Sequence, residues 1–313
     1  MDIYKTTTNL LIDTTLAKSW SDVRVLIERN AFGRPRDWQL PILACEAVGG
    51  NPEQAVPAAA AIACSQISII LIDDMLDEDP RGEYHYIGAP AAANLAVAIQ
   101  ALGLEVLAQS STGAATRLDA IHSFNKMTWT TALGQHWDVQ NPADEAAYWQ
   151  MVQTKSSPFF GAALYAGARL GGTPNKVARK IEEFGKLYGE MIQIHDDLND
   201  VMATPAGPDW VQGRSPLPIL FAEIVNHPDQ QRFQELRPAV SNPDALAEAQ
   251  TILICCGAVS YCVDQIIGRY KQAQALLSTL SIAHPEKLAS LLEPLIEPVQ
   301  ALFAEVGLPQ PAV

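Results

Sequence analysis

Leu71-Ile72-Asp73-Asp74-Met75-Leu76-Asp77 and, far downstream, Ile194-His195-Asp196-Asp197-Leu198-Asn199-Asp200 repeat one short pattern: a pair of aspartates, two other residues, then a third aspartate. On a helix Asp73, Asp74 and Asp77 fall within an arc of roughly 100°, and Asp73 and Asp77 are i,i+4 neighbours. Carboxylates that close repel one another, and without a cation some of them stay protonated. A hard cation with oxygen ligands removes the conflict. Magnesium suits sparse carboxylates combined with a phosphate-bearing substrate. A solvated acidic face is the simpler reading of one isolated copy, but the surroundings argue against it. From Val56 to Ile72 the chain carries no charge and is mostly apolar on every side, the pattern of a buried helix. The acids at its end are therefore expected to face an internal cavity. The second copy closes another long helix. There Val177, Ile181, Phe184, Tyr188, Met191, His195 and Leu198 form a stripe at helical spacing, and Gln193, Asp196, Asp197 and Asp200 fall on the other side.

Outward from these two segments, helical periodicity recurs and strand alternation is hard to find. The pattern predicts helices over 13–29, 39–48, 54–78, 90–109, 113–139, 144–171, 174–203, 215–226, 242–256, 257–278 and 285–304. Gly49-Gly50-Asn51-Pro52, Gly88-Ala89-Pro90, Gly171-Gly172-Thr173-Pro174 and the Pro205–Gly213 loop punctuate them. With no linker, low-complexity tail or solenoid repeat, the expectation is a single all-α domain over residues 1–313, a large helical bundle around a central cavity.

Composition narrows the function. The 313 residues carry a net charge of −14, with 48% hydrophobic and 18% charged residues. No basic run offsets the acidity, which argues against nucleic acid and anionic membrane surfaces as partners. Cys45, Cys64, Cys255, Cys256 and Cys262 show no metal-ligand spacing and read as reduced, mostly buried thiols. With no export signal at the acidic N-terminus, a cytoplasmic location is expected. Two charge-free stretches, Gln54 to Ile72 and Tyr84 to Leu104, are interrupted by polar residues, Gly88 and prolines. They read as buried helices and not as membrane spans.

The paired motifs carry a resemblance: the chain resembles the polyprenyl synthetases of the class I isoprenoid synthase fold, from about Gly33 to Ser215. The resemblance implies that two DDxxD motifs on facing helices hold three Mg²⁺ ions, which grip the diphosphate of an allylic prenyl substrate. It makes Asp73 and Asp77 ligands from one helix, and Asp196 and Asp200 from the other, with Asp74 and Asp197 supporting them. Further landmarks stand in order. Gly134-Gln135 with Asp138 resembles the GQ-x-x-D element. Lys155-Ser156-Ser157 resembles the KTG/KTS element, whose lysine reaches the diphosphate. Gln193 stands three positions before the second aspartate pair. Asp209 to Arg214, followed by Ser215-Pro216-Leu217-Pro218, resembles D-x-x-x-x-K-x-x-L-P with Arg214 in place of lysine. The resemblance thus implies Lys155, Arg214, Arg81 and Gln193 as catalytic residues, and a homodimer.

Departures concern the second substrate, isopentenyl diphosphate, which typical members bind through GGKRxRP. Here the stretch is Phe32-Gly33-Arg34-Pro35-Arg36-Asp37-Trp38, with Arg34 and Arg36 as the available cations. Gln66 replaces a histidine, the double arginine after the first motif shrinks to Arg81-Gly82, and Ala206-Gly207-Pro208 stands where a GK element is expected. A pocket for a second diphosphate needs several cationic donors. The leading expectation is therefore a prenyltransferase joining an allylic diphosphate to a second isoprenoid unit. The runner-up is a terpene cyclase, or a prenyltransferase with a non-standard acceptor; the third is a non-catalytic subunit of a heteromeric synthase. In the family, the side chains four and five positions before the first aspartate floor the prenyl tunnel. Here these are Ile69 and Ser68, neither aromatic, so products of C20 or longer are expected.

Overall fold

A computed structural model of the chain describes residues 1–305; of the domain expected over 1–313, residues 306–313 lie outside the described part. Among the described residues every regular element is a helix, as the all-α expectation requires. The first half holds α1 (Ile3–Ile12), α2 (Thr15–Ser19), α3 (Ser21–Phe32), α4 (Leu40–Ala47), α5 (Val56–Leu76), α6 (Tyr84–Ile87), α7 (Ala89–Ala108) and α8 (Ala114–Val139). The second holds α9 (Glu145–Lys155), α10 (Ser157–Leu170), α11 (Asn175–Met202), α12 (Pro208–Val211), α13 (Leu217–Ile224), α14 (Gln230–Leu236), α15 (Pro243–Cys255), α16 (Ala258–Ser278) and α17 (Glu286–Glu305). The chain divides into two compact units. One comprises Met1–Ala132, Pro158–Lys186 and Leu276–Ser290; the other comprises Leu133–Ser157, Leu187–Ala275 and the chain from Leu291 onward.

The first unit is organised on α5. A 3-10 turn, Pro52–Ala55, leads into α5, and Asn51 and Gln54 cap that turn reciprocally: Glu53 N–H donates to Asn51 Oδ1 at 3.1 Å, and Asn51 N–H donates to Gln54 Oε1 at 3.1 Å. Pro52 adds a preset φ. Ala58 through Ser65 are all buried, and α5 packs chiefly on α7. The two helices approach closely because a Cβ at Gly103 would stand 2.9 Å from Cys64 Cβ and 3.2 Å from the Ala61 backbone. By length and composition Pro52–Leu76 and Ala89–Ala108 are apolar enough to cross a membrane, with 72% and 44% of their most apolar windows buried inside the protein. At the other end of α5 the Asp77 N–H caps on Asp73 O at 2.8 Å, and Glu78 follows at φ 51°. The chain turns there, just as the acidic motif finishes.

In the second unit Asp144 caps α9 by accepting the Ala147 N–H at 2.8 Å. The core around α12–α15 gathers Val201, Trp210, Ile219, Phe233 and Leu253, all fully or nearly fully buried. Trp210 Nε1–H donates to Val201 O at 3.0 Å, satisfying a buried donor. Helix α11 contributes to both units; of the stripe predicted on it, Ile181, Phe184, Tyr188 and Met191 are buried, and Val177, His195 and Leu198 are half-buried.

Several boundaries differ from the periodicity. The helix expected over 13–29 breaks at Trp20, which is extended (φ −132°, ψ 103°) between α2 and α3. The helix expected over 144–171 breaks at Ser156, because Pro158 follows without an N–H to continue the ladder. Helix α1 contains Thr6-Thr7-Thr8, poor helix formers. It forms because Asp2 Oδ1 accepts the N–H groups of Tyr4 and Lys5 at 3.1 and 3.3 Å, and because Tyr4, Thr7 and Leu11 are buried on one side. Helix α14 was hidden by its Gln-Gln-Arg start, and only Phe233 and Leu236 reach the core.

Candidate active site

Asp73, Asp74 and Asp77 stand half-buried at the C-terminal end of α5. Burial raises the Asp74 pKa above the usual carboxylate range; the Asp79 and Asp73 carboxylates push the same way, and Arg81 opposes them. Arg81 grips Asp79 with two bonds, Nε–H to Oδ1 at 3.0 Å and Nη2–H to Oδ2 at 2.7 Å. That pairing lowers the Asp79 pKa. The Arg81 side chain is 84% exposed. Beside this cluster lies a pocket of about 620 Å³, walled by Leu26, Ile67 and Leu71 and bordered by Asp74, Arg81 and Arg29. Arg29 pairs with Glu83 at 2.5 Å.

The residues expected at a second-substrate site do not form one cationic group. Gln66 is engaged inside the protein: its amide donates to Asp37 Oδ2 at 2.6 Å and accepts from Trp38 Nε1–H at 2.9 Å. Burial pushes the Asp37 carboxyl up to about 6. Arg34 sits at φ 49°, lies over the Tyr4 ring at 4.7 Å and pairs with Asp2 at 3.6 Å, with its side chain 64% exposed. Arg36 is exposed on a 3-10 turn. Ser68 is buried on α5 and Ile69 half-buried.

In the second unit the expected residues do converge. Asp138, at the end of α8, receives two cations on one oxygen: Lys155 Nζ at 2.5 Å and Arg214 Nη1 at 3.2 Å on Oδ2. All three side chains are less than a fifth exposed. Gly134 makes the approach of α9 possible, because a Cβ there would fall on the Lys155 backbone nitrogen. One residue on, Ser156 Oγ–H donates to Gln193 Oε1 at 2.5 Å, and Gln193 Nε2–H donates to Asp197 Oδ1 at 2.8 Å. Asp197 also receives the Tyr148 hydroxyl at 2.7 Å and the Leu217 N–H at 2.8 Å, both on Oδ2. Burial raises Asp197 to about 6 against the pull of these donors. Asp197 is therefore not on the open face with its neighbours: it is 4% exposed, whereas Asp196 and Asp200 are exposed. Asp209, in the following loop, is raised to about 6 by burial and then by Asp197, Asp200 and Asp138, with Arg214 opposing.

Tyr148 joins the Asp197 network without having been among the residues singled out from the sequence. It stands seven positions before Lys155 on α9, close to the same helical face, and this spacing was the available signal. The burial of Asp37 had no such signal.

Among the described residues no group of three or more His, Cys, Asp or Glu side chains is gathered closely enough to hold a metal ion alone. The donor sets are oxygen-only and sparse, which fits magnesium sharing its coordination with water and substrate phosphate. Burial raises Asp74 most, and the Asp79, Asp73 and Asp77 carboxylates add repulsion of the kind a bound cation relieves. Asp73, Asp74 and Asp77 in one unit, and the exposed Asp196 and Asp200 in the other, are the residues that fit.

Comparison with known proteins gives the family. The polyprenyl synthetase family profile matches residues 38–253. A short chain isoprenyl diphosphate synthase of Methanothermobacter thermautotrophicus is 27% identical over 267 residues, 80% of this chain and 82% of the relative. A geranylgeranyl diphosphate synthase of Methanosarcina mazei is 30% identical over 196 residues, 58% of this chain and 60% of the relative. The crystal structure of geranylgeranyl pyrophosphate synthetase from Pyrococcus horikoshii Ot3 is similar at a TM-score of 0.82 and 21% identity, covering 95% of each chain. At that identity the likeness speaks for the fold, the all-α isoprenoid synthase fold.

Proposed function

The chain belongs to the polyprenyl synthetase family and is a prenyltransferase, and on that footing we propose that it is magnesium-dependent, ionises an allylic prenyl diphosphate and joins the prenyl chain to isopentenyl diphosphate. The observation that carries the reading is the convergence of Lys155 and Arg214 on Asp138 Oδ2. An incoming diphosphate offers these two cations more negative charge than one carboxylate does. The C–O bond then breaks with its electron pair on the diphosphate, which Lys155 and Arg214 hold as it leaves. Magnesium, when bound, neutralises the diphosphate and makes it a better leaving group. Asp73, Asp77, Asp196 and Asp200 are its proposed ligands. Asp74 and the Gln193–Asp197–Tyr148 network keep those ligands oriented. The double bond of the second substrate forms the new C–C bond, and the departing diphosphate takes the proton then lost. No protein base is needed.

Products of C20 or longer are the proposed length, supported by the non-aromatic Ser68 and Ile69 on α5 and by the geranylgeranyl relatives. A homodimer is part of the same reading, supported by exposed apolar side chains on α7 and α8: Val97 at 69%, Leu118 at 66% and Trp129 at 54%. One observation favours a different acceptor: the Asp37–Gln66 pair and the outward Arg34 leave the second-substrate region poor in cations. Incubation with Mg²⁺ and geranyl, farnesyl or geranylgeranyl diphosphate, with and without isopentenyl diphosphate, separates the readings by product. Longer prenyl diphosphates support elongation. Hydrocarbons or alcohols formed without the second substrate refute it in favour of cyclisation or an unusual acceptor.

A further inference from the structure

Arg214 lies in the loop between α11 and α13, where no sheet or long helix fixes the backbone, and yet its guanidinium must reach Asp138 beside Lys155. Two side chains hold the loop at that residue. Asn141 lies in the turn after α8. Its amide donates through Nδ2–H to Gly213 O at 3.2 Å and accepts the Ser215 N–H on Oδ1 at 2.8 Å. These bonds clasp the peptide groups on both sides of Arg214, in the way a neighbouring backbone would. From the other side Arg237 Nη2–H donates to the carbonyl of Arg214 itself at 2.8 Å. Arg237 is fixed in turn by Glu223 Oε1 at 3.1 Å, and Glu223 Oε2 accepts from Ser215 Oγ–H at 3.0 Å. Inside the loop, the Arg214 N–H donates to Asp209 O at 2.8 Å.

Asn141 suits this task in two ways. Its backbone is left-handed, φ 62°, a conformation that asparagine tolerates better than most residues. Its carboxamide presents one donor side and one acceptor side, and the clasp uses both. Aspartate would lose the donor and set a carboxylate against the Gly213 carbonyl. Serine would be too short to span both groups.

We propose that Asn141, with Arg237 behind it, is a positioning residue that holds Arg214 in place to receive the diphosphate. This inference rests on the assignment of Arg214 to that diphosphate. Asn141→Gly is the informative variant: glycine keeps the left-handed backbone without strain and removes both clasping bonds. Inorganic pyrophosphate with MgCl₂, titrated by calorimetry, is the probe, alongside the KM for the allylic substrate. The comparison runs over wild type, Asn141→Gly, Asn141→Asp, Arg214→Gln and the Asn141→Gly/Arg214→Gln double variant. Thermal melts and circular dichroism run on each protein.

Asn141→Gly and Asn141→Asp are expected to weaken pyrophosphate about five- to tenfold and to raise KM by a similar factor, with kcat changed less. In the Arg214→Gln background, Asn141→Gly is expected to cost less than about twofold more, because its effect passes through Arg214. A merely structural asparagine would cost the same factor in both backgrounds, and that result overturns the proposal. If Arg214→Gln weakens pyrophosphate and Asn141→Gly does not, the proposal is wrong while the role of Arg214 stands. If Arg214→Gln itself binds like wild type, the assignment of Arg214 is wrong and the proposal falls with it.

Discussion

Asp37→Asn tests how the region around Gln66 is held. The Asp37 carboxyl is half-buried, receives the Gln66 amide at 2.6 Å, and has its pKa raised by the loss of water around it from 3.8 to about 6. A difference of roughly two pH units between folded and unfolded chains corresponds to about 3 kcal/mol, on the order of 1.4 kcal/mol per unit. The direction follows from which state releases its proton first. Between pH 4 and 6 the unfolded chain is already ionised while the folded protein keeps its proton, so stability falls as pH rises. The contribution is fully present below about pH 4 and gone above about pH 6, where an ionised carboxylate sits in a half-buried site. Asparagine keeps the shape, accepts the Gln66 N–H on its carbonyl oxygen and never ionises. The variant is therefore expected to match wild type near pH 4 and to exceed it by up to about 3 kcal/mol at pH 7–8. Urea unfolding of both proteins across this range measures the difference, and other titrating groups cancel in the comparison. A gap that does not change with pH, or a variant less stable at pH 8, would refute the reasoning.

Other outcomes follow from the same geometry. Asp73→Ala and Asp196→Ala should each lower magnesium-dependent turnover by orders of magnitude while the helical circular dichroism stays unchanged, since neither removes core volume; wild-type turnover in either variant would disprove that ligand. Tyr148→Phe takes one of three donors from Asp197 and should cost about 1.5–3 kcal/mol at pH 8, where the carboxylate is ionised, and less at pH 5; an equal loss at both pH values in urea unfolding would contradict the ionised form. Ser68→Phe should shorten the prenyl products, because a ring in that buried position displaces the tail or the helix; identical chain-length profiles would show that α5 does not set length there.

The parts of the fold legible in the amino-acid order were those with one dominant physical signal. The uncharged run of α5 and the apolar stripe of α11 are enough to place both aspartate motifs at helix ends. Helix α1 was not legible, because its Thr6-Thr7-Thr8 run opposes helix formation locally and the capping by Asp2 and tertiary burial override it. Ser156 interrupts a continuous periodic pattern because of a proline two residues later, and the interruption sets Ser156 against Gln193. At the site, Lys155, Arg214 and Asp138 were legible as a set only through the family likeness; nothing in their sequence spacing says that they share an oxygen. Asp37 stands where the family has a basic residue. Only the fold reveals that it is half-buried against Gln66, since the setting of one carboxyl depends on α5 and the preceding turn together.

The most direct test of the account is the stoichiometry of pyrophosphate release. Purified protein is mixed with farnesyl diphosphate and Mg²⁺, with and without isopentenyl diphosphate, and released pyrophosphate and prenyl products are counted in the same quenched samples. The account predicts one pyrophosphate per new carbon–carbon bond, loss of both signals with a chelator, and no sustained release without the second substrate. Steady pyrophosphate release without isopentenyl diphosphate, accompanied by a hydrocarbon or alcohol, would contradict it.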